Sequence, residues 1–195
     1  MASNRKIYHR CAFCSLIYID PSHLVDQPAE KRIYSLHQNS IEHTGYVNFL
    51  NRAILPSLKY INPSDVGLDY GCGPKPTLSR ILRNQGITCY DYDPIFKFSD
   101  PWDIYDFIFA TECFEHFHRP NCDIGKILLK LKSKGLLIVM TQLYSDMKLF
   151  PSWYYIQDPT HVSFYHLDTF DFIKNNWGLS LLYTDRSRVM IFRKE

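Results

Sequence analysis

The stretch whose reading decides the fold is VGLDYGCGPKP, Val66–Pro76. Val66, Leu68 and Tyr70 carry the character of a buried strand. Gly71 and Gly73 let the backbone turn sharply and approach a ligand closely. A helix is then predicted from Thr77 through Leu78, Ile81 and Leu82 to Gly86. A strand that delivers a glycine turn onto a helix N-terminus is how open α/β sheets hold nucleotide-like cofactors. The residues that follow narrow the choice of ligand. A dinucleotide fingerprint needs a third glycine or alanine where this chain has Pro76, and no phosphate loop closing in lysine and a hydroxyl residue is present. Asp69 sets a carboxylate just before the turn, which suits an amine-bearing ligand better than a pyrophosphate.

Outward from this motif the pattern alternates as α/β units do. The segment Gln27–Tyr60 reads as helical, broken at Pro56 and the INPSD run. ITCYDYD is a second strand closed by Asp93, and Ile104–Ala110 a third. A helix over Asp123–Leu131 and a turn at Gly135 lead to LLIVM, an apolar run suited to a central parallel strand. After a helix over Leu167–Asn176, LSLLYT and Val189–Phe192 flank TDRSR and predict an antiparallel hairpin at the sheet edge. The expected architecture is a Rossmann-like three-layer α/β sandwich, with a mostly parallel seven-stranded sheet and an antiparallel C-terminal edge strand.

Composition sets limits on function. At 195 residues, 46% hydrophobic and 15% aromatic, the chain can bury a full core. The net charge of +2 is spread without a basic block, so no nucleic-acid partner is indicated. No signal h-region and no apolar run of membrane-spanning length occurs, which predicts a cytoplasmic protein without a membrane partner. The six cysteines are scattered and read as reduced thiols. Cys11 and Cys14 have metal-ligand spacing, but a closed zinc site needs four ligands. Residues 1–26 are therefore read as a short cysteine-containing hairpin segment preceding a domain of residues 27–195.

Three runs carry candidate chemistry. Asp93, at the end of the second strand, can accept both hydroxyls of a ribose, with Asp91 two residues earlier as the competing choice. TECFEHFH follows the third strand, where loops form the ligand crevice, and places Thr111 and Glu112 near the cofactor. Glu112 and His116 share a face if this run is helical. A metal reading needs a further donor such as His161 or Asp158, so no metal is assigned, and His118 is read as a capping and packing residue. The polar and aromatic insertion SWYYIQDPTHVSFYH, residues 152–166, has the length of a lid or binding loop. Within it His161 is the first candidate for general base, oriented by Asp158, and His116 is the second. Tyr144, Trp153, Tyr155 and Tyr165, with Asp158, are candidate walls of a substrate pocket.

LDYGCGPKPTLSRIL, GITCYDYDP, YDFIFATECFEHF and LKSKGLLIVMT, in this order, resemble the successive motifs of class I S-adenosyl-L-methionine-dependent methyltransferases over roughly residues 45–195. With HRCAFCSLIYIDP and WYYIQDPTHVSFYH, the chain resembles more narrowly a bacterial subgroup with a cysteine-rich N-terminus. The resemblance implies that Asp69, Gly71, Cys72 and Gly73 contact the methionine portion of the cofactor. Asp93 then binds the ribose, Tyr92, Pro94 and Ile95 lie near the adenine, and Glu112 and Cys113 sit beside the cofactor. Lys75-Pro76 departs from the family, which usually continues with a further small glycine turn. The function implied is methyl transfer to a small-molecule acceptor by a monomer or homodimer. The alternatives are a noncatalytic cofactor- or partner-binding protein on the same fold, and an NAD-dependent oxidoreductase.

Overall fold

A computed structural model describes residues 2, 3, 6–36, 39–96, 98 and 104–195. In chain order the elements are β1 (Ala2–Ser3), β2 (Lys6–Arg10), β3 (Ile17–Ile19), α1 (Gln27–Ser35), α2 (Thr44–Ser57), β4 (Val66–Tyr70), α3 (Thr77–Asn84), β5 (Thr88–Tyr92), β6 (Tyr105–Thr111), α4 (Pro120–Leu129), β7 (Leu131–Met140), β8 (Ser163–Phe164), α5 (Leu167–Trp177), β9 (Leu179–Thr184) and β10 (Val189–Lys194).

The main sheet has the strand order β5-β4-β6-β7-β10-β9. The first four of these pair in parallel, and β10 runs antiparallel to both β7 and β9. The central strands β4, β6 and β7 are largely buried on both faces, as the apolar composition of β6 and β7 requires. On one face Leu68, Ile108, Leu137 and Phe192 pack against Ile124 and Ile127 of α4 and Phe170 and Ile173 of α5. On the other, Phe107, Phe109, Ile138 and Ile191 pack against Leu50 and Ile54 of α2 and Leu78 and Leu82 of α3. The three-layer α/β architecture is therefore present. The sheet has six strands rather than the seven expected, because β5 is an outer edge with no further strand hydrogen-bonded to it among the described residues.

The glycine at position 67 shows how tightly the layers meet. A Cβ there would fall 1.9 Å from Cε2 of Phe107, so the bare backbone of β4 is what lets that ring lie across it. Two other boundaries differ from the sequence reading. The helix predicted over Gln27–Tyr60 is two helices. Asp26 caps the first, accepting from Ala29 N at 2.8 Å; that helix ends at Ser35, and α2 starts at Thr44. The turn predicted at Gly135 lies inside β7, which bends where Lys134 takes φ 62° and the register against β6 shifts.

A second sheet, β1-β2-β3-β8, joins the N-terminal hairpin to the insertion that follows β7. Ile17 pairs with Phe164 and Tyr18 with Ser163. Tyr8, Ile17, Ile19, Phe150, Ile156, Val162 and Phe164 form its own buried core. Cys11 and Cys14 sit at the hairpin turn as free thiols. No helix among the described residues is long and apolar enough to cross a membrane.

Candidate active site

The carboxyl ends of β4, β5 and β6 open into a single cavity of about 830 Å³. Its floor is the glycine turn. Gly71 has φ 78° and Gly73 φ 68°, a region that side-chain-bearing residues rarely enter. A Cβ on Gly71 would also stand 3.0 Å from Cβ of Cys113. The amides of Gly71 and Cys72 both donate to Tyr92 O, at 2.8 and 3.1 Å, which fastens the turn to the end of β5. Lys75 is exposed, and neither it nor Pro76 lines the cavity, so the departure at Lys75-Pro76 lies outside the ligand space.

Asp93 and Asp91 part company just where the sequence left them competing. Asp91 is held on the α3 side by Ser79 and by Arg83 Nη1 at 3.2 Å. Asp93, 7% exposed, lines the cavity and accepts from the backbone amides of Gly73 at 2.9 Å, Ile95 at 2.8 Å and Phe96 at 3.0 Å. It is thus the clasp between the glycine turn and the loop after β5. Asp69 is buried at the root of the turn, and burial together with the charge of Asp91 pushes its carboxyl up to about 8. All the residues assigned to the cofactor from sequence line this cavity: Asp69, Gly71, Cys72, Gly73, Tyr92, Asp93, Pro94, Ile95, Thr111, Glu112 and Cys113.

The far end is built by the run after β6 and by the insertion. Glu112 stands at φ 48° at the strand end, and Phe114–His116 is a single 3-10 turn, so Glu112 and His116 do not share a helix face as expected. The insertion lies along this turn. Val162 N donates to Glu115 O at 2.8 Å, Ser163 Oγ to Phe117 O at 2.8 Å, and His116 Nδ1 to Thr160 O at 2.9 Å. This zipper brings His161 beside His116, with ring centroids 4.9 Å apart. His161 Nδ1 donates to Tyr155 O at 2.7 Å, and burial lowers its imidazole below the ordinary histidine value. Asp158 stands 3.9 Å from His161 Nε2, and its carboxylate is engaged by the amide and hydroxyl of Thr160. Burial works to raise the Asp158 carboxyl, but the bonds from Thr160 outweigh it and leave it below the usual range.

Three candidate substrate residues do not line the cavity. Tyr144 donates to Ser15 O inside the core of the small sheet. Tyr165 is fully buried, with its hydroxyl on Phe114 O at 3.1 Å. Trp153 packs against Phe150 and Tyr155. All three secure the insertion, while Tyr155 and Asp158 do face the cavity. His118, read as a capping residue, instead pairs with Glu30 of α1 at 2.9 Å, and that bond raises its imidazole. The sequence reading missed Arg188 altogether. Its guanidinium is nearly buried just before β10, bonded to Glu112 at 2.8 Å and to Gln142, and stacked over Phe49 at 5.2 Å. Burial and the charge of Glu115 push Glu112 upward, and Arg188 opposes them. An arginine within TDRSR carries the same signal as any solvated turn residue. Only the register of β10 beside β7 turns it inward.

Comparison with known proteins bears on this arrangement. A family model described as a methyltransferase domain matches residues 41–184. No curated protein matches the chain. Among solved structures, an O-methyltransferase family protein from Burkholderia thailandensis is 12% identical, with a TM-score of 0.56, over 85% of this chain and 63% of that one. The chain therefore spans less than two thirds of that protein. The magnesium protoporphyrin IX methyltransferase of Synechocystis PCC 6803, solved with S-adenosylhomocysteine, is 15% identical over 87% of this chain and 95% of that one, with a TM-score of 0.57. A plantazolicin methyltransferase in complex with a monoazolic desmethylPZN analogue and S-adenosylhomocysteine is 16% identical over 86% of this chain and 91% of that one, with a TM-score of 0.54. At these identities the solved structures are similar in fold.

Proposed function

The chain belongs to the methyltransferase-domain family, and from that premise we propose that it transfers a methyl group from S-adenosylmethionine to a small-molecule acceptor. The observation that carries the reading is the continuity of one cavity from the glycine turn and Asp93 to His116 and His161. At about 830 Å³ it lies in the upper part of the range of about 300–1,000 Å³ for small-molecule sites, room for a cofactor and a second ligand.

In this reading the amino group of the cofactor meets Asp69, whose buried carboxyl regains its charge beside an ammonium. Asp93 receives the ribose, and Tyr92, Pro94 and Ile95 border the adenine. The methyl group on a sulfonium is already activated, so the protein's task is to align the acceptor with the S–CH3 bond and keep water out. The acceptor end supplies that alignment through Tyr155, Asp158, His116 and His161, under a cover of α1 and α2 contributed by Tyr34, Tyr46 and Phe49. The proposed reaction class covers oxygen, nitrogen, sulfur and carbon acceptors.

Calorimetric titration with S-adenosylhomocysteine, with NAD in parallel, tests the cofactor. Micromolar binding of the former alone is the expected result. Binding of NAD instead turns the reading to an oxidoreductase. Tight S-adenosylhomocysteine binding with no turnover across a broad acceptor panel favours a noncatalytic binder.

A further inference from the structure

Glu115 is fully buried, lines the cavity, and takes part in no salt bridge among the described residues. Its two carboxylate oxygens each accept one hydrogen bond, from Tyr155 Oη and from Thr141 Oγ1 at 2.8 Å, which fixes the group and leaves lone pairs free. A buried carboxylate so held is costly unless a positive charge answers it. Arg188, a buried cation lining the same cavity, is committed to Glu112.

Two imidazoles complete the picture. Donor atoms of Glu115, His116 and His161 all lie within 4.8 Å of one another. In both histidines Nδ1 donates to a backbone carbonyl, Thr160 O for His116 and Tyr155 O for His161, so Nε2 is the nitrogen left for a ligand. Metal-binding histidines are held in this way, the second nitrogen anchored to an acceptor that sets tautomer and ring angle. The carboxylate carries its own outer partners in Tyr155 and Thr141. Bonds of about 2.0–2.2 Å to a shared ion require the donors to close by a modest side-chain rotation.

We propose that Glu115, His116 and His161 form a site for one divalent transition-metal cation of the zinc class, with open coordination positions facing the acceptor end of the cavity. Two imidazoles and one carboxylate are a nitrogen-rich donor set that suits zinc better than magnesium or calcium. The role of the ion rests on the methyl-transfer reading. An acceptor hydroxyl bound to it gives up its proton to solvent, and the oxygen attacks the methyl carbon. The C–S electron pair then returns to sulfur, leaving a neutral thioether.

The test loads the chelator-treated full chain with Zn2+ by calorimetry and with Co2+ by visible absorption. One equivalent is expected, with a Co2+ spectrum free of thiolate charge-transfer bands. The Cys11→Ser/Cys14→Ser variant should retain the ion, because the hairpin thiols are not its ligands. His116→Ala/His161→Ala and the near-isosteric Glu115→Gln should weaken it by more than the about 10–100-fold that loss of an outer partner costs. Melting temperature and S-adenosylhomocysteine binding, read on every variant, show which of them fold. No saturable binding by the parent chain overturns the site. So does thiolate charge transfer, or an ion lost with the cysteines and kept without the histidines. S-adenosylhomocysteine binding to the metal-free protein separates the two readings: its absence counts against methyl transfer and leaves the ion site standing.

Discussion

The two ends of the cavity are made in opposite ways. The end proposed for the cofactor is largely backbone: glycine φ angles, amides on Tyr92 O, and three amides gathered by Asp93. The end proposed for the acceptor is side chain: Glu112, Glu115, His116, Tyr155, His161 and Arg188, drawn from three stretches of chain that meet only in the folded protein. A backbone site tolerates few substitutions at its turns, whereas a side-chain site can be rewritten while the fold stands. The contrast suits a common cofactor and a variable acceptor.

The sharpest way to break this comparison is Gly71→Val. The new side chain meets Cys113 and forces a strained φ, so we expect a loss of about 2–5 kcal/mol in stability and no measurable S-adenosylhomocysteine binding. A variant that binds normally would show that the turn is not backbone-limited. Next comes Asp93→Ala, expected to weaken S-adenosylhomocysteine by about 2–4 kcal/mol in calorimetry through loss of the ribose bonds and the clasp on Gly73. Unchanged affinity in a folded variant would remove Asp93 from the cofactor's contacts. At the other end, Arg188→Ala should cost about 1–3 kcal/mol in chemical denaturation by stranding Glu112, yet change cofactor affinity less than about tenfold. An equal loss in both measurements would merge the two ends into one unit.

A pH series sharpens the picture further. Below about 8 the free protein holds Asp69 protonated, and a bound ammonium favours the carboxylate. Binding then expels a proton, and affinity rises with pH toward about 8 by up to about tenfold per unit. Titrations in buffers of different ionisation enthalpy should show this release, and equal heats in all of them would place the amino group elsewhere. The smallest effect belongs to Lys75→Ala. That side chain is exposed and off the cavity, so cofactor affinity should stay within about twofold.

The same contrast explains what the sequence disclosed. Gly71, Gly73 and Asp93 announce themselves locally, because a turn at the end of a strand has few chemical solutions. The parallel order of the central strands follows from alternating apolar runs and helical spacing. The far end depends on the zipper between residues 115–117 and 160–163, whose three bonds all end on backbone carbonyls, and a carbonyl acceptor carries no residue signature. His116 and His161 could each be nominated by type, but not their contact. Tyr144, Trp153 and Tyr165 had the composition of pocket walls and serve instead as fasteners of the insertion, since an aromatic ring suits either place. Between the end of α1 and the start of α2 the sequence of residues 36–43 holds neither glycine nor proline, so it offers no local stop to the helical pattern.

The pairing of β3 with β8 has a consequence for how the protein is born. Ile17 is made well before its partner Phe164, with β4 to β7 of the main sheet synthesised between them. Until then the hairpin carries an open strand edge, the kind of surface that recruits other chains. A nascent chain stalled before Ser163 is thus left with its first-made sheet unfinished and exposed to aggregation. The small sheet stays open while β4 to β7 are made, and closes with β8 before β9 and β10 complete the main sheet.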